Sequence, residues 1–341
     1  MNRYVKVFVF TATMSGSVVA ATLNPMPTTD GFSGYVGGGA AVFEVKSNFL
    51  GGNRFVQLDN ENASNLNASP GSETTISPEI KFDFRYTFDN MNTQLFLGTP
   101  LVDLARLDFS QQFGVRHSFH SLGTFSSSYV FSSVPTEVWE DPFDTDQERS
   151  RTDRNSNGFK LAWDDIFDMP VGISYTYRKI DIDNEQSGSA LVNNAVLTPE
   201  ESALLNREGD VHRVEIISLF DLDNGAKIAP QINFIRFDTK GASAAHKTYQ
   251  AQVSYLKPDP SYVWAVTGFL SHREYDKPNP IFGRKPDSNG FGISGSLLLH
   301  KPFQTPNINL LFGLAWVQED SDVSFYDNDI MAASASVLYN F

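Results

Sequence analysis

The stretch Ile330 to Phe341 constrains the fold more than any other. Phe341, Tyr339, Val337, Ala335, Ala333 and Met331 share one face of an extended chain. Asn340, Ser336 and Ser334 lie on the other, interrupted by Leu338. A period of two, apolar on one side and mostly polar on the other, is the pattern of a strand between unlike media. It predicts that the segments upstream are strands that close against this one.

The same pattern returns along the chain. From Ile76 to Phe88, Ile76, Pro78, Ile80, Phe82, Phe84, Tyr86 and Phe88 face one way. Ser77, Glu79, Lys81, Asp83, Arg85 and Thr87 face the other. The first strand spans about Phe32 to Val45, with Tyr35, Gly37, Gly39, Ala41, Phe43 and Val45 on one face. The third, from Thr93, is the weakest, and the sixth reads as short, around Phe159, Leu161 and Trp163. The count comes to about 14 strands, or 12 if the third and its neighbour fail. Connections alternate between long (50–74, 135–157, 183–208, 273–290) and short (89–92, 120–123, 221–225, 257–261). Thr198-Pro199-Glu200-Glu201 within one long loop reads as a helix start. No stretch after the first residues has the roughly 20 continuous apolar residues of a membrane-spanning helix. An all-β, transmembrane, up-and-down antiparallel β-barrel fits, because in lipid every backbone group must pair and a sheet can leave no edge. An exported β-sandwich or propeller explains neither the aromatic end nor the loop alternation.

The chain's start predicts export. Arg3 and Lys6 precede a mostly apolar or small run from Val7 to Val19, and Val19-Ala20-Ala21 is a small-residue cleavage site. Residues 1–21 are thus read as a signal peptide, 22–30 as a short periplasmic lead, and 31–341 as one barrel domain. The formal charge is −14, and two units more negative without Arg3 and Lys6, which argues against nucleic acid as a partner. Phe (28) and Tyr (12) are numerous enough for two interfacial girdles. With no cysteine, disulfides, thiolate metal sites and thiol nucleophiles are excluded.

The polar faces hold the candidate site. Opposite the apolar positions, Lys81, Arg85, Arg116, Lys160, Arg178, Arg213 and Lys227 are read as lumen-lining, with Glu44, Glu79, Asp83 and Glu215 as the fewer inward acids. Rings of Arg and Lys favour anions, whereas a salt-bridge network would only stiffen the wall. The assignment depends on register, since a slip of one residue reverses it. Asp153-Arg154-Asn155-Ser156-Asn157-Gly158, with Asp164 at the twelfth position, resembles a calcium loop. It lacks the terminal Glu and flanking helices, so the plainer reading is a polar loop entering a strand. The acidic loop ends (Glu137, Glu140, Asp141, Asp144, Asp146) read as a solvated rim able to hold cations that bridge lipopolysaccharide. There is no G-x-S-x-G, H-E-x-x-H or phosphate-binding loop, and the histidines are scattered, so neither catalysis nor a cofactor is expected.

The terminal strand resembles the C-terminal signature that the barrel-assembly machinery of Gram-negative bacteria recognises, with Phe341, Tyr339 and Val337 as the signal. Thr93-Gln94-Leu95-Phe96-Leu97-Gly98, Arg106-Leu107-Asp108-Phe109 and Val171-Gly172-Ile173-Ser174-Tyr175-Thr176, with that strand, resemble a family of bacterial outer-membrane proteins known only as a domain of unknown function. The resemblance implies the outer membrane and adds no catalytic or binding residue. The expected function is a passive or substrate-selective channel for small polar or anionic solutes. The alternatives are a non-conducting surface barrel whose outer loops bind a partner and, behind it, a barrel-borne hydrolase.

Overall fold

A computed structural model describes residues 26–27, 29–59, 65–89, 92–99 and 109–341. The leader 1–21 and most of the Arg106–Phe109 motif lie outside these residues. Among them, fourteen antiparallel strands form the wall. They are β1 (Gly31–Lys46), β2 (Ser72–Phe88), β3 (Thr93–Gly98), β4 (Phe109–Ser118), β5 (Thr124–Val134), β6 (Arg151–Asp164) and β7 (Val171–Ile182). The second half comprises β8 (Gly209–Ser218), β9 (Lys227–Thr239), β10 (His246–Pro258), β11 (Tyr262–Tyr275), β12 (Ser288–His300), β13 (Ile308–Ser321) and β14 (Asn328–Asn340). Each strand pairs with its sequence neighbour, and β14 pairs with β1, so the sheet closes. Short turns lie at one end, which also holds Gly31 and Phe341. The longer loops lie at the other. By the barrel convention the first end is periplasmic.

The outer surface is apolar. Ile76 and Ile80 on β2, Ile232 on β9, Leu270 on β11 and Leu314 on β13 are each about two-thirds exposed. An exposure that would be costly in water is the expected state of a wall facing lipid. Rings cluster toward the periplasmic turns, where Phe125 stacks on Trp163 at 4.9 Å and Phe32 meets Tyr86 at 4.8 Å. On β14, Met331, Val337, Tyr339 and Phe341 face outward, and Leu338 points in, nearly fully buried. The last residue is part of the seam. Phe341 N–H donates to Gly34 O, Gly34 N–H donates back, and the Phe341 ring packs on Phe84 at 5.7 Å.

β1 corrects the expected register. Its odd face (Tyr35, Ala41, Phe43, Val45) is buried inside the barrel, and Val36 and Val42 face out. Glu44 therefore shares the outward face with its register partner Met331 and is not an inward acid. The apolar inner face misleads the reading because a loop covers it from within, as described below. Gly39 on this face sits between two strands that reach across it: Ser336 Oγ on β14 donates to Glu79 Oε2 on β2 at 2.8 Å.

Two further expectations change. β6 is not short. It begins at Arg151, and Thr136–Trp139 forms a separate strand pairing with its start. The calcium-loop motif Asp153–Gly158 is thus extended backbone paired to β7, so it cannot wrap a cation. The helix start at Thr198 is present: Thr198 Oγ1 accepts from Glu201 N–H and Glu201 Oε2 accepts from Thr198 N–H, opening the helix Pro199–Ala203.

Candidate functional site: a charged lumen beneath an apolar cap

On β2 the strict alternation sends every second residue inward. Glu79, Lys81, Asp83 and Arg85 therefore form a column on the inner wall, opposite the small residues Gly39 and Gly37 of β1. The charges are paired. Lys81 Nζ lies 2.6 Å from Glu79 Oε2, with both side chains almost fully buried. The Arg85 guanidinium grips Asp83 with two bonds, one of 3.0 Å from Nη2. Lys160 on β6 reaches across β7 to Glu215 on β8 at 3.1 Å, and Ser174 Oγ donates to the same carboxylate oxygen at 2.8 Å. Arg116 donates to Gln94 at 2.9 Å, and Arg178 donates to Ser110 and Ser156. Arg213 shares the inward face of β8 with Glu215. Lys227 lies apart, at the periplasmic rim, paired with Asp221 beside the turn. The predicted lumen-lining residues other than Lys227 and Glu44 therefore form one polar band from β2 to β8. Three further inward charges lie outside the set expected from the alternation: Asp164, expected only as the end of a calcium-like loop and buried beside the band, and the pair Arg273–Glu319, 2.8 Å apart on the other side of the barrel. Each follows the same period of two, but sits at a strand end that the sequence placed in a loop or turn.

Below the band, the inner wall becomes apolar at the periplasmic rim. Ile217, Ala229, Leu256 and Ala265 form one cluster across β8–β11. Val263, Leu298, Leu311, Leu338 and Tyr35 form a second across β11–β14 and β1. Together they make a collar over more than half the circumference.

Above the band, the loops close in. The loop after β1 (L1, 47–71) carries the strand Leu50–Asn53, which leaves the wall to pair with Thr136–Trp139. Arg151 at the start of β6 donates to two L1 carbonyls, Gly51 O at 3.3 Å and Leu58 O at 2.8 Å. Leu58 itself packs on the inward face of β1 and β14, against Ala41, Phe43, Val45 and Ile330. L1 thus dips into the barrel.

The remaining loops meet above it. Phe143 (loop 135–150, L3), Leu191, Leu197 and Leu205 (183–208, L4) and Val323 and Phe325 (322–327, L7) form one buried cluster. Phe49 and Leu66 of L1 and Ile281 and Phe282 (276–287, L6) pack on it. Phe143 stacks on Phe325 at 5.5 Å between ring centres. L3 and L7 spring from nearly opposite sides of the wall, where neighbouring strands are each about 4.8 Å apart. Rings from the two can touch only across the barrel axis, so the cluster is a cap over the mouth. Polar bonds lock it. Arg207 of L4 donates to Trp139 O at 2.6 Å and Glu140 O at 3.1 Å. Asp141 accepts from the N–H groups of Gly188 and Ala190. Asn48 donates to Phe325 O at 3.0 Å. Trp139 is fully buried, with the guanidiniums of Arg149 and Arg151 against its ring at 4.6 and 5.0 Å. Burial raises the Tyr326 phenol above its usual range, and Asn279 donates to its oxygen at 2.7 Å.

No curated protein matches the sequence. Among solved structures, the chain is similar to the TodX monoaromatic hydrocarbon channel deltaS2 mutant, with TM-score 0.47, 11% identity, and coverage of 94% of this chain and 93% of that one. It is also similar to the CymD monoaromatic hydrocarbon channel, with TM-score 0.44, 10% identity, and coverage of 97% and 94%. The anion-selective porin from Comamonas acidovorans aligns with TM-score 0.42, 10% identity, and coverage of 92% and 100%. A family model described as "Protein of unknown function (DUF2860)" matches residues 31–340, from the first strand to the last, and the chain belongs to that family.

Proposed function

We propose that this protein is an outer-membrane channel for small polar or anionic solutes, held closed at its outer mouth by its own loops. One observation carries the reading: fourteen strands close around a polar, charged inner band. A barrel of about 8 strands is filled by its own side chains, and one of 16–18 leaves an aqueous channel. Fourteen strands lie between those two sizes, which supports a bore beside Lys81, Arg85, Arg116 and their partners. The signal-like leader and the aromatic terminal strand support export and insertion by the assembly machinery; of the acids expected on a solvated rim, Asp141 is instead buried in the cap, and exposed ones such as Asp146 suit cation-bridged lipopolysaccharide. The cap distinguishes this protein from a passive, open pore.

A second reading has its own observation. The Glu79–Lys81 and Lys160–Glu215 pairs neutralise much of the inward charge, as a wall built only for rigidity would. Single-channel recording in planar bilayers separates the two. The channel reading predicts brief openings with anion preference, and intact barrels that never conduct, even with the cap removed, would exclude it. Within the channel reading, Arg85→Ser with Arg116→Ser should lower the anion preference. An unchanged reversal potential would show that these two do not face the permeating ion.

A further inference from the structure

The apolar belt on the outer wall is not level. Its upper edge is marked, strand by strand, by the first charged or amide side chain that faces outward above the periplasmic girdle. Counted from the strand's periplasmic end, that residue comes seven positions in on β6 (Asp164 to Asn157), eight on β7 (Val171 to Lys179) and eight on β8 (Ser218 to Asp210). It comes nine in on β9 (Lys227 to Arg236), eleven on β14 (Asn340 to Asp329) and thirteen on β1 (Gly31 to Glu44). β2 has none in its 17 residues. β3–β5 carry no such marker among the described residues. The outward direction is fixed by contacts: Asp210 accepts from Tyr177 OH at 2.8 Å, and Asp329 accepts from the Trp316 indole at 3.0 Å. The belt is thus low on β6–β8 and high on β14–β2, the opposite side of the barrel. Five or six residues, at about 3.3 Å each along strands inclined by about 40°, make a difference on the order of 14 Å.

The lower edge shifts the same way. Where the belt is low, the periplasmic turns carry exposed apolar side chains: Phe119 and Leu122 between β4 and β5, Phe167 and Met169 between β6 and β7, Phe220 and Leu222 between β8 and β9. They continue the wall. Phe119 meets Phe125 at 5.6 Å, Phe167 meets Trp163 at 5.4 Å, and the Trp163 indole N–H donates to Leu122 O at 2.7 Å. Elsewhere the turns are polar, with Asp89 and Asn92 after β2 and Asp259-Pro260-Ser261 after β10. Phe303, between β12 and β13, is an exception, 95% exposed beside Lys301 and Gln304. A belt that merely thinned beside β6–β8 would end there in polar turns.

We propose that the barrel sits tilted in the bilayer, by an angle on the order of 25°. The β6–β8 side is raised, which draws Phe119, Leu122, Phe167, Met169, Phe220 and Leu222 up into the periplasmic leaflet. The partner of these turns is the phospholipid of that leaflet, because they extend a wall that already faces lipid. The β14–β2 side is lowered, which brings Ile76 and Ile80 into the outer leaflet and leaves Phe303 in water. The tilt rests on the wall lying in a bilayer, not on the channel reading.

The chain has no cysteine, so a single replacement carries a single label. Leu122→Cys, Leu222→Cys, Phe303→Cys, Lys179→Cys and Met331→Cys would each take a nitroxide, in barrels reconstituted into vesicles of phosphatidylethanolamine and phosphatidylglycerol. All five side chains are exposed, so the packed interior is left alone. Collisions with oxygen report lipid, and collisions with a water-soluble nickel chelate report water. The tilt predicts oxygen over nickel at positions 122 and 222, and nickel over oxygen at 303. It also predicts water at 179 and lipid at 331, although Met331 is one position further from its strand's periplasmic end. Equal depth at 179 and 331 is the upright result and would overturn the proposal, as would lipid at 303. Water at 122 and 222 would also overturn it, by leaving those turns to a periplasmic protein. A disulfide between chains at Leu222→Cys would do so by assigning them to a second copy. These readouts do not depend on whether the barrel conducts.

Discussion

At Gly39 the seam of the barrel leaves no room for a side chain. A Cβ there would lie 2.1 Å from Ala335 O and 2.4 Å from Ser336 Oγ. Gly39→Val should therefore break both the β1–β14 pairing and the Ser336–Glu79 bond, costing about 1–3 kcal/mol as overpacking does. Urea titration of folded barrels, followed by tryptophan fluorescence, measures it. The neighbouring pair Lys81–Glu79 makes a different prediction, because both groups are buried. Removing one partner strands the other, so Lys81→Met should cost about 3 kcal/mol. Adding Glu79→Leu should recover much of the loss, and strict additivity of the two changes would mean that the pair is not coupled. At this scale the sequence was informative wherever alternation ran unbroken. The inward charges of β2 could be read directly from it, as could Lys160, Arg178 and Arg213. Glu44 was misread because the inner face of β1 is as apolar as its outer one.

L1 is the element that the sequence least foretold. It lies in a polar Gly/Asn/Ser-rich stretch, and its apolar contact with the inner wall is Leu58, whose partners come from both ends of the chain. No local periodicity can announce such a contact. The strands, by contrast, are visible in the sequence because a lipid-facing outer side and a mostly polar inner side impose a two-residue rule on most of them. The first half of β6 is hidden in the sequence because Arg151–Asn157 is polar on both faces, as befits a strand end that rises into the loops. Arg151 links wall to loop through Gly51 and Leu58. Arg151→Ala should release L1 while leaving the barrel folded. Limited proteolysis would then cut between 47 and 58 in the variant at a rate well above that of the parent chain. Equal protection would show that Leu58 alone holds the loop.

For the whole molecule, the proposed function depends on two closures of different chemistry. The wall closes through backbone bonds, which no single side chain controls. The cap closes through packing at Phe143 and Phe325, where a ring-to-methyl truncation costs about 3–5 kcal/mol in a packed cluster. The cap is therefore the part that a modest perturbation can open. The proposed channel requires a bore beneath the cap, and single-channel conductance of the Phe143→Ala, Phe325→Ala double variant tests this most directly. The parent chain should show rare, brief openings, and the variant sustained, anion-preferring conductance. A variant that inserts as a folded barrel and stays as silent as its parent would contradict it.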